Sequence, residues 1–210
     1  MIRVITVDDH PIVLRGVKEI LSEEPDMELV GEANTASRAF ELIRGTACDV
    51  VVLDISLPDK SGLAVLEQLR YEFPRLPVLI LSIYPHDQYA VRVLKAGAAG
   101  YMTKESAPEE LVLAIRKVIS GGKYISIAVA EALAEDIAKG AEQLPHQTLS
   151  NREFQVLCML ASGETVTGIA RALHVSAKTV STYRTRILEK MQMKTNADLT
   201  RYAVENHIVN

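Results

Sequence analysis

Short apolar runs alternate with helical apolar stripes through residues 1–120. Residues 3–7, 27–33, 50–53, 78–81 and 100–103 have strand length. The run 50–53, Val-Val-Val-Leu, is apolar at every position, as in a strand buried on both faces. Between the runs, segments starting at Pro11 and spanning 35–44, 61–73, 86–96 and 108–120 carry apolar residues at three-to-four spacing. The first offers Ile12, Val13, Val17, Ile20 and Leu21; the third offers Leu63, Leu66, Leu69 and Phe73. Pro11 and Pro108 suit first helical turns, and Gly45, Pro74, Gly97 and Gly121-Gly122 stop the helices. Five such alternations force parallel neighbours and right-handed crossovers. The expected fold is α/β, a five-stranded doubly wound parallel sheet of the flavodoxin-like type.

The pattern then changes. Residues 127–139 are Ala-rich, with Val129, Leu133 and Ile137 at helical spacing, and 140–147 reads as a loop. Residues 121–147 are therefore expected to be a linker with one short helix. Ser150-Asn151-Arg152-Glu153 spells a capping box, followed by the apolar face Phe154, Val156, Leu157 and Leu160. A shorter helix is expected over 166–173, where Gly168 costs about 1 kcal/mol against Ala. His174-Val175 makes a tight turn, Ser176 caps a longer helix reaching Met191, and a fourth helix covers 196–205. A short helix, a tight turn and a longer capped helix is the helix-turn-helix plan. Residues 148–210 thus read as a small all-α four-helix domain.

Polar residues fall at telling places in this frame. Asp8 and Asp9, Asp54, Ser82 and Lys104 each sit at or just past the carboxyl end of an expected strand. In a parallel sheet those ends share one edge, where ligands bind. Crowded carboxylates repel each other unless a cation sits among them, and Mg²⁺ suits a few carboxylates plus phosphate oxygens. A carboxylate so held can attack a phosphoryl group. A lysine and a hydroxyl, Lys104 and Ser82, are donors suited to the charge that builds there. His10 follows the acidic pair and reads as a helix-start residue, with metal ligation as the alternative.

Composition is ordinary for a globular chain, 48% apolar and 24% charged. No apolar run approaches 18 residues, so no membrane helix is expected. Residues 1–9 lack a signal-peptide layout, which points to the cytoplasm. Cys48 and Cys158 are isolated in apolar surroundings and read as buried free thiols. The net charge is −4, yet residues 148–210 hold 8 Lys+Arg against 5 Asp+Glu, a net of +3. That local excess hints at nucleic acid. On the long C-terminal helix, Lys178, Ser181, Thr182 and Thr185 form one stripe away from Val180, Ile187 and Met191. Thr179, Tyr183, Arg184 and Arg186 flank it. Hydroxyls there can bond base edges or phosphates, and Lys and Arg neutralise phosphates.

Residues 1–120 resemble the receiver domain of two-component response regulators, on the acidic pair Asp8-Asp9, Asp54 with Pro58 following, Ser82, Tyr101 and Lys104. The resemblance implies that Asp54 accepts phosphate from a histidine kinase or an acyl phosphate. It implies that Asp8, Asp9, Asp54 and the main-chain carbonyl of Ser56 hold Mg²⁺. Ser82 and Lys104 would grip the phosphoryl group, and Tyr101 would rotate inward as the hydroxyl moves. Three residues depart from the pattern: Glu105 stands where Pro often follows the lysine, Ile83 is bulky, and Ser61 replaces a frequent Asp before Gly62. Residues 148–210 resemble the helix-turn-helix of LuxR-type regulators, on Leu149 to Glu153, Gly163, Ile169-Ala170, Leu173, Val175-Ser176, Lys178 to Val180 and Lys190-Met191. The whole chain is thereby similar to the NarL/FixJ subfamily. That implies a transcription factor rather than an enzyme, binding double-stranded DNA through the long helix and forming a homodimer when phosphorylated.

Three rivals stay open at this point. An Asp-nucleophile phosphohydrolase commonly carries a second acid two residues after the nucleophile, where this chain has Ser56. A regulator working without phosphate would leave the pocket vestigial. A pure protein-interaction module leaves the basic helix unexplained.

Overall fold

The computed structural model describes residues 1–82, 87–138, 144–206, 208 and 209. They divide into two compact units, one ending at Ala130 and the other running from Glu131.

The first unit alternates β1 (Ile2–Val7), α1 (Pro11–Ser22), β2 (Met27–Ala33), α2 (Ala36–Gly45), β3 (Val50–Asp54), α3 (Gly62–Glu72), β4 (Val78–Ser82), α4 (Asp87–Lys95), β5 (Gly100–Thr103) and α5 (Ala107–Ile119). The strands are all parallel, in the order β2-β1-β3-β4-β5. β3 and β4 are buried at every residue, which explains their unbroken apolar runs. Val50, Val52, Leu79 and Leu81 pack in one core cluster with Val17 and Leu21 of α1 and Leu111 and Ile115 of α5. Alternation sends Val51 and Leu53 to the opposite face of the sheet.

Two apolar expectations need correction. Ile12 is 72% exposed, because the buried stripe of α1 runs through Val13, Val17, Ile20 and Leu21 and leaves Ile12 beside it. Phe73 is only half-buried, since it caps the C-terminus of α3.

The linker begins as an addition to the sheet. Tyr124 N–H donates to Ala99 O (3.1 Å) and Tyr101 N–H donates to Tyr124 O (2.9 Å), a parallel bridge on the outer side of β5. Gly100 makes room for it, as a Cβ there would lie 2.7 Å from Tyr124 O. α6 (Ile127–Ala138) then runs across the division between the units. The expected Ile137 side chain and residues 140–143 of the expected loop lie outside the described residues, and Pro145–Thr148 form a 3-10 turn.

The second unit continues with α7 (Asn151–Ala161), α8 (Val166–Ala172), α9 (Ala177–Lys190) and α10 (Asn196–Glu205). α7 was expected to bury one face, but every residue from Glu153 to Ala161 is buried, because α8, α9 and α10 all pack against it. The α8–α9 turn puts His174 in the left-handed region at φ 52°, with Val175 N–H donating to Ala170 O at 2.9 Å. Cys158 is buried, as expected. Cys48 is only half-buried, and burial raises its thiol pKa. Among the described residues, no helix is long and apolar enough to cross a membrane.

Candidate functional site

Register sets the pocket. Asp54 is the last residue of β3, opposite Leu81 of β4, so Ser82 lies one step beyond it, opposite Thr103. Lys104 N–H donates to Ser82 O at 2.7 Å, which carries the pairing past the end of β5. On the other side, Asp8 N–H donates to Ala33 O at 3.0 Å and holds the acidic turn beyond β1. Asp8, Asp54, Ser56, Ser82 and Tyr101 are all buried.

The side chains converge. Lys104 Nζ lies 2.7 Å from Asp8 Oδ2 and 3.1 Å from Asp54 Oδ2. Asp54 is 1% exposed, and neither of its carboxylate oxygens has a hydrogen bond of good geometry among the described residues. Burial first, and then the Asp8 carboxylate, push Asp54 up to about 6 against the pull of Lys104. One lysine therefore does not neutralise this cluster, and the orphaned oxygens fit a divalent cation. Asp8, Asp9, His10 and Asp54 each offer a ligand atom, all within 4.8 Å of one another. His10 had been read as a helix-start residue; it is one, and its ring also turns into the pocket.

Two supporting residues escaped the sequence reading. A Cβ on Gly62 would lie 2.3 Å from Asp54 O and 2.5 Å from Ile55 Cα, so only glycine lets α3 start against the acidic strand. Its N–H donates to Ile55 O at 2.9 Å. Asp59 accepts from Ala36 N–H (2.8 Å) and from Ser37 N–H and hydroxyl (both 3.0 Å), pinning the loop after Asp54 to the start of α2. The adjacency of Ser61-Gly62 to the acidic strand was a signal for the first. Nothing local signalled the second, whose partners lie more than twenty residues earlier.

Tyr101 is already inside, at 5% exposure. The Lys104–Glu105 peptide is trans, as is every described peptide bond. Ser61, despite replacing Asp, caps α3 by accepting from Ala64 N–H. Ile83 lies outside the described residues.

In the second unit, Lys178, Ser181, Thr182, Thr185 and Arg186 are exposed on α9, and Thr179, Tyr183 and Arg184 are half-buried. At roughly 100° per residue, Tyr183 and Arg184 fall toward the buried side set by Val180 and Ile187, away from the stripe. Arg184 Nε donates to Asn196 Oδ1 at 2.6 Å, which ties α9 to α10. The platform under α9 is held by charged bonds. Glu153 completes the capping box of α7 and accepts from Lys190 Nζ at 2.7 Å, while Arg152 Nη2 donates to Leu173 O at 2.8 Å. Burial pushes the Glu153 carboxyl up, but Lys190 and the Ser150 donors outweigh it and hold it below its usual range.

Comparison with known proteins places these two sites in one kind of molecule. Residues 4–116 match the response regulator receiver domain, and 147–203 match the bacterial regulatory proteins of the luxR family. The chain is 35% identical over 211 residues to response regulator UvrY of Escherichia coli K12, covering all of this chain and 97% of that protein. It is 36% identical over 210 residues to response regulator GacA of Pseudomonas aeruginosa, covering 100% and 98%. Among solved structures, Salmonella enterica RcsB bound to a promoter in the presence of phosphomimetic BeF3⁻ matches with a TM-score of 0.65 and 27% identity, over 97% of this chain and 98% of that one. A receiver sheet with its acidic edge, followed by a LuxR-type DNA-binding domain, makes this chain a member of the response regulators of the NarL/FixJ subfamily.

Proposed function

We propose that phosphorylation of Asp54 switches this chain as a sequence-specific DNA-binding transcription factor, through dimerisation. The observation that carries the reading is the buried, under-neutralised Asp54 carboxylate beside Asp8, with Lys104 Nζ at 3.1 Å. An Asp54 oxygen attacks the phosphorus of a histidine-kinase phosphohistidine or a small acyl phosphate. The P–N or P–O bond to the donor breaks, and the donor leaves with the electron pair. Asp8, Asp9, Asp54 and the Ser56 carbonyl would hold Mg²⁺, which would supply charge neutralisation for the carboxylates and the transferring group. Lys104 exchanges a carboxylate partner for a phosphoryl oxygen, and the Ser82 hydroxyl donates to another.

Tyr101, being inside already, passes the change on through its main chain. Its N–H bonds Tyr124 at the start of the linker, so movement of β5 is felt by residues 121–147. The division we favour is a receiver over 1–120, that linker, and a DNA-binding domain over 148–210. Lys178, Thr179, Ser181, Thr182, Thr185 and Arg186 would meet the major groove, with Tyr183 and Arg184 in support. Two such domains would span half-sites about one helical turn apart. The RcsB chain solved on a promoter supports this reading, and the cytoplasm is where kinase and DNA are both within reach.

Light scattering of wild type and Asp54→Asn, with and without beryllofluoride and Mg²⁺, tests the switch. Dimerisation in wild type alone is the expected result. A dimer in Asp54→Asn as well, or none in either with the ion bound, would overturn it. Lys178→Ala should weaken DNA binding and lower its salt slope by about 1, with phosphorylation unchanged.

A further inference from the structure

The acidic pocket takes the carboxyl edge of the sheet, and the opposite edge is indented too. Because the strands run parallel, their starts share that rim. There a cleft of about 930 Å³ opens between the starts of β1, β3, β4 and β5 and the ends of α3 and α5. It lies wholly within the first unit. Its apolar walls are Ile2, Phe73, Leu76, Pro77, Val118 and Ile119. The volume is that of a small-molecule site.

The charges lining it are one-sided. Arg70, Arg75 and Lys123 face a single acid, Asp49. Asp49 is already taken: it accepts from Arg3 Nε at 3.0 Å and Arg3 Nη2 at 2.8 Å, and Arg3 holds its carboxyl below the usual range. Arg70 Nη1 donates to Pro74 O at 2.6 Å, and Lys123 Nζ donates to Ala98 O at 2.5 Å. Among the described residues, none of the three cations has a carboxylate partner. Burial, and then the charge of Arg70, pull the Lys123 ammonium below its usual pKa. The C-terminal ends of α3, α4 and α5 reach the same edge, each worth about half a negative charge. Together they do not cancel three cations. An apolar cleft with uncompensated cations is complementary to a molecule with an apolar body and an anionic head.

We propose that this cleft binds a small organic anion, an aromatic or alkyl body with one carboxylate or phosphate head, and that the bound molecule holds the linker on β5. Arg70, Arg75 and Lys123 take the head, and the apolar walls take the body. Gly121, Gly122 and Lys123 belong to the linker and line the cleft just before Tyr124, whose N–H donates to Ala99 O. A ligand here therefore touches the segment that leaves the sheet. It does so at the opposite end of β3 from Asp54, so this input does not compete with a phosphoryl group.

The test is amide NMR of the full chain, titrated separately with benzoate, phenyl phosphate, inorganic phosphate and benzyl alcohol. Benzoate or phenyl phosphate should shift the amides of Gly97, Gly121 and Gly122 saturably, and a preference between the two names the head. Inorganic phosphate and benzyl alcohol each lack half of the ligand and should bind there at least about tenfold more weakly. Lys123→Gln should weaken the organic anion about fivefold. Arg75→Gln, at an exposed loop position where folding is not at stake, should weaken it in the same direction. At saturation, hydrogen exchange at the Tyr124 amide should slow. No saturable shift at these glycines with either organic anion, or unchanged affinity in both variants, would overturn the site. Equal binding of benzyl alcohol or of inorganic phosphate would also overturn it, leaving a plain apolar or anion patch. Binding with unchanged exchange at Tyr124 would overturn the hold on the linker.

Discussion

Each unit of this chain buries a carboxylate, and the two are treated in opposite ways. Glu153 in the helical unit accepts from Ser150 and Lys190, and its pKa is held down. Asp54 in the sheet unit faces Asp8, has no well-formed hydrogen bond, and has its pKa pushed up. Both are nearly free of solvent, so burial alone does not separate them. Glu153 holds helices together and its partners are supplied by the fold. Asp54 has one lysine shared with Asp8, and the charge that this leaves uncompensated is suited to partners from outside, a cation and a phosphoryl group. Local inconsistency of this kind is what a functional site is expected to show.

The contrast can be broken most severely at Gly62. Gly62→Ala should destabilise the sheet unit by about 3 kcal/mol in denaturant unfolding, since backbone atoms rather than flexible side chains meet the new Cβ. A change below about 1 kcal/mol would mean that the loop after Asp54 yields easily.

Glu153→Gln should cost the helical unit about 2 kcal/mol, from the lost charge-assisted bonds to Ser150 and Lys190. The pH dependence follows from the lowered pKa. The unfolded carboxylate titrates near about 4.3. The stabilisation is therefore complete above that value and fades as pH falls through the lower, folded pKa. Thermal melts should show wild type losing its advantage over Glu153→Gln in acid, and parallel curves would contradict the pairing.

Asp54→Asn should go the other way and stabilise the sheet unit by about 1 kcal/mol in Mg²⁺-free buffer at neutral pH, because it removes a carboxylate that burial and Asp8 disfavour. Mg²⁺ should then raise the melting temperature of wild type and not of the variant. The smallest effect is expected at Gly168→Ala. The gain of about 1 kcal/mol in helix propensity is opposed by a Cβ only 3.2 Å from the Thr165 hydroxyl that caps α8. Net stability should move by less than about 0.5 kcal/mol.

The strands, helices and pocket residues were legible because spacing reports one element at a time, and strand ends in a parallel sheet share an edge. Asp8, Asp54, Ser82 and Lys104 come together on that logic alone. What escaped depends on partners far along the chain. Arg152 and Lys190 look like surface charges until Leu173 and Glu153 are placed beside them. The all-round burial of α7 needs three other helices, and the orientation of His10 needs the pocket itself. Ile12 was misread because a helical spacing that fits five apolar residues does not say which of them lies at the stripe's edge.

The bridge at Tyr124 has one more consequence. β5 is the last strand of the sheet, and the outer side of such a strand carries main-chain donors and acceptors that a second chain could extend. Here the protein's own linker takes that place, bonding across Ala99 and Tyr101 where Gly100 lets it approach. The segment that leads toward the DNA-binding domain thus also shields this rim from strand-to-strand aggregation. Any substitution at Gly100 would strip that guard and uncover the rim beside Tyr101.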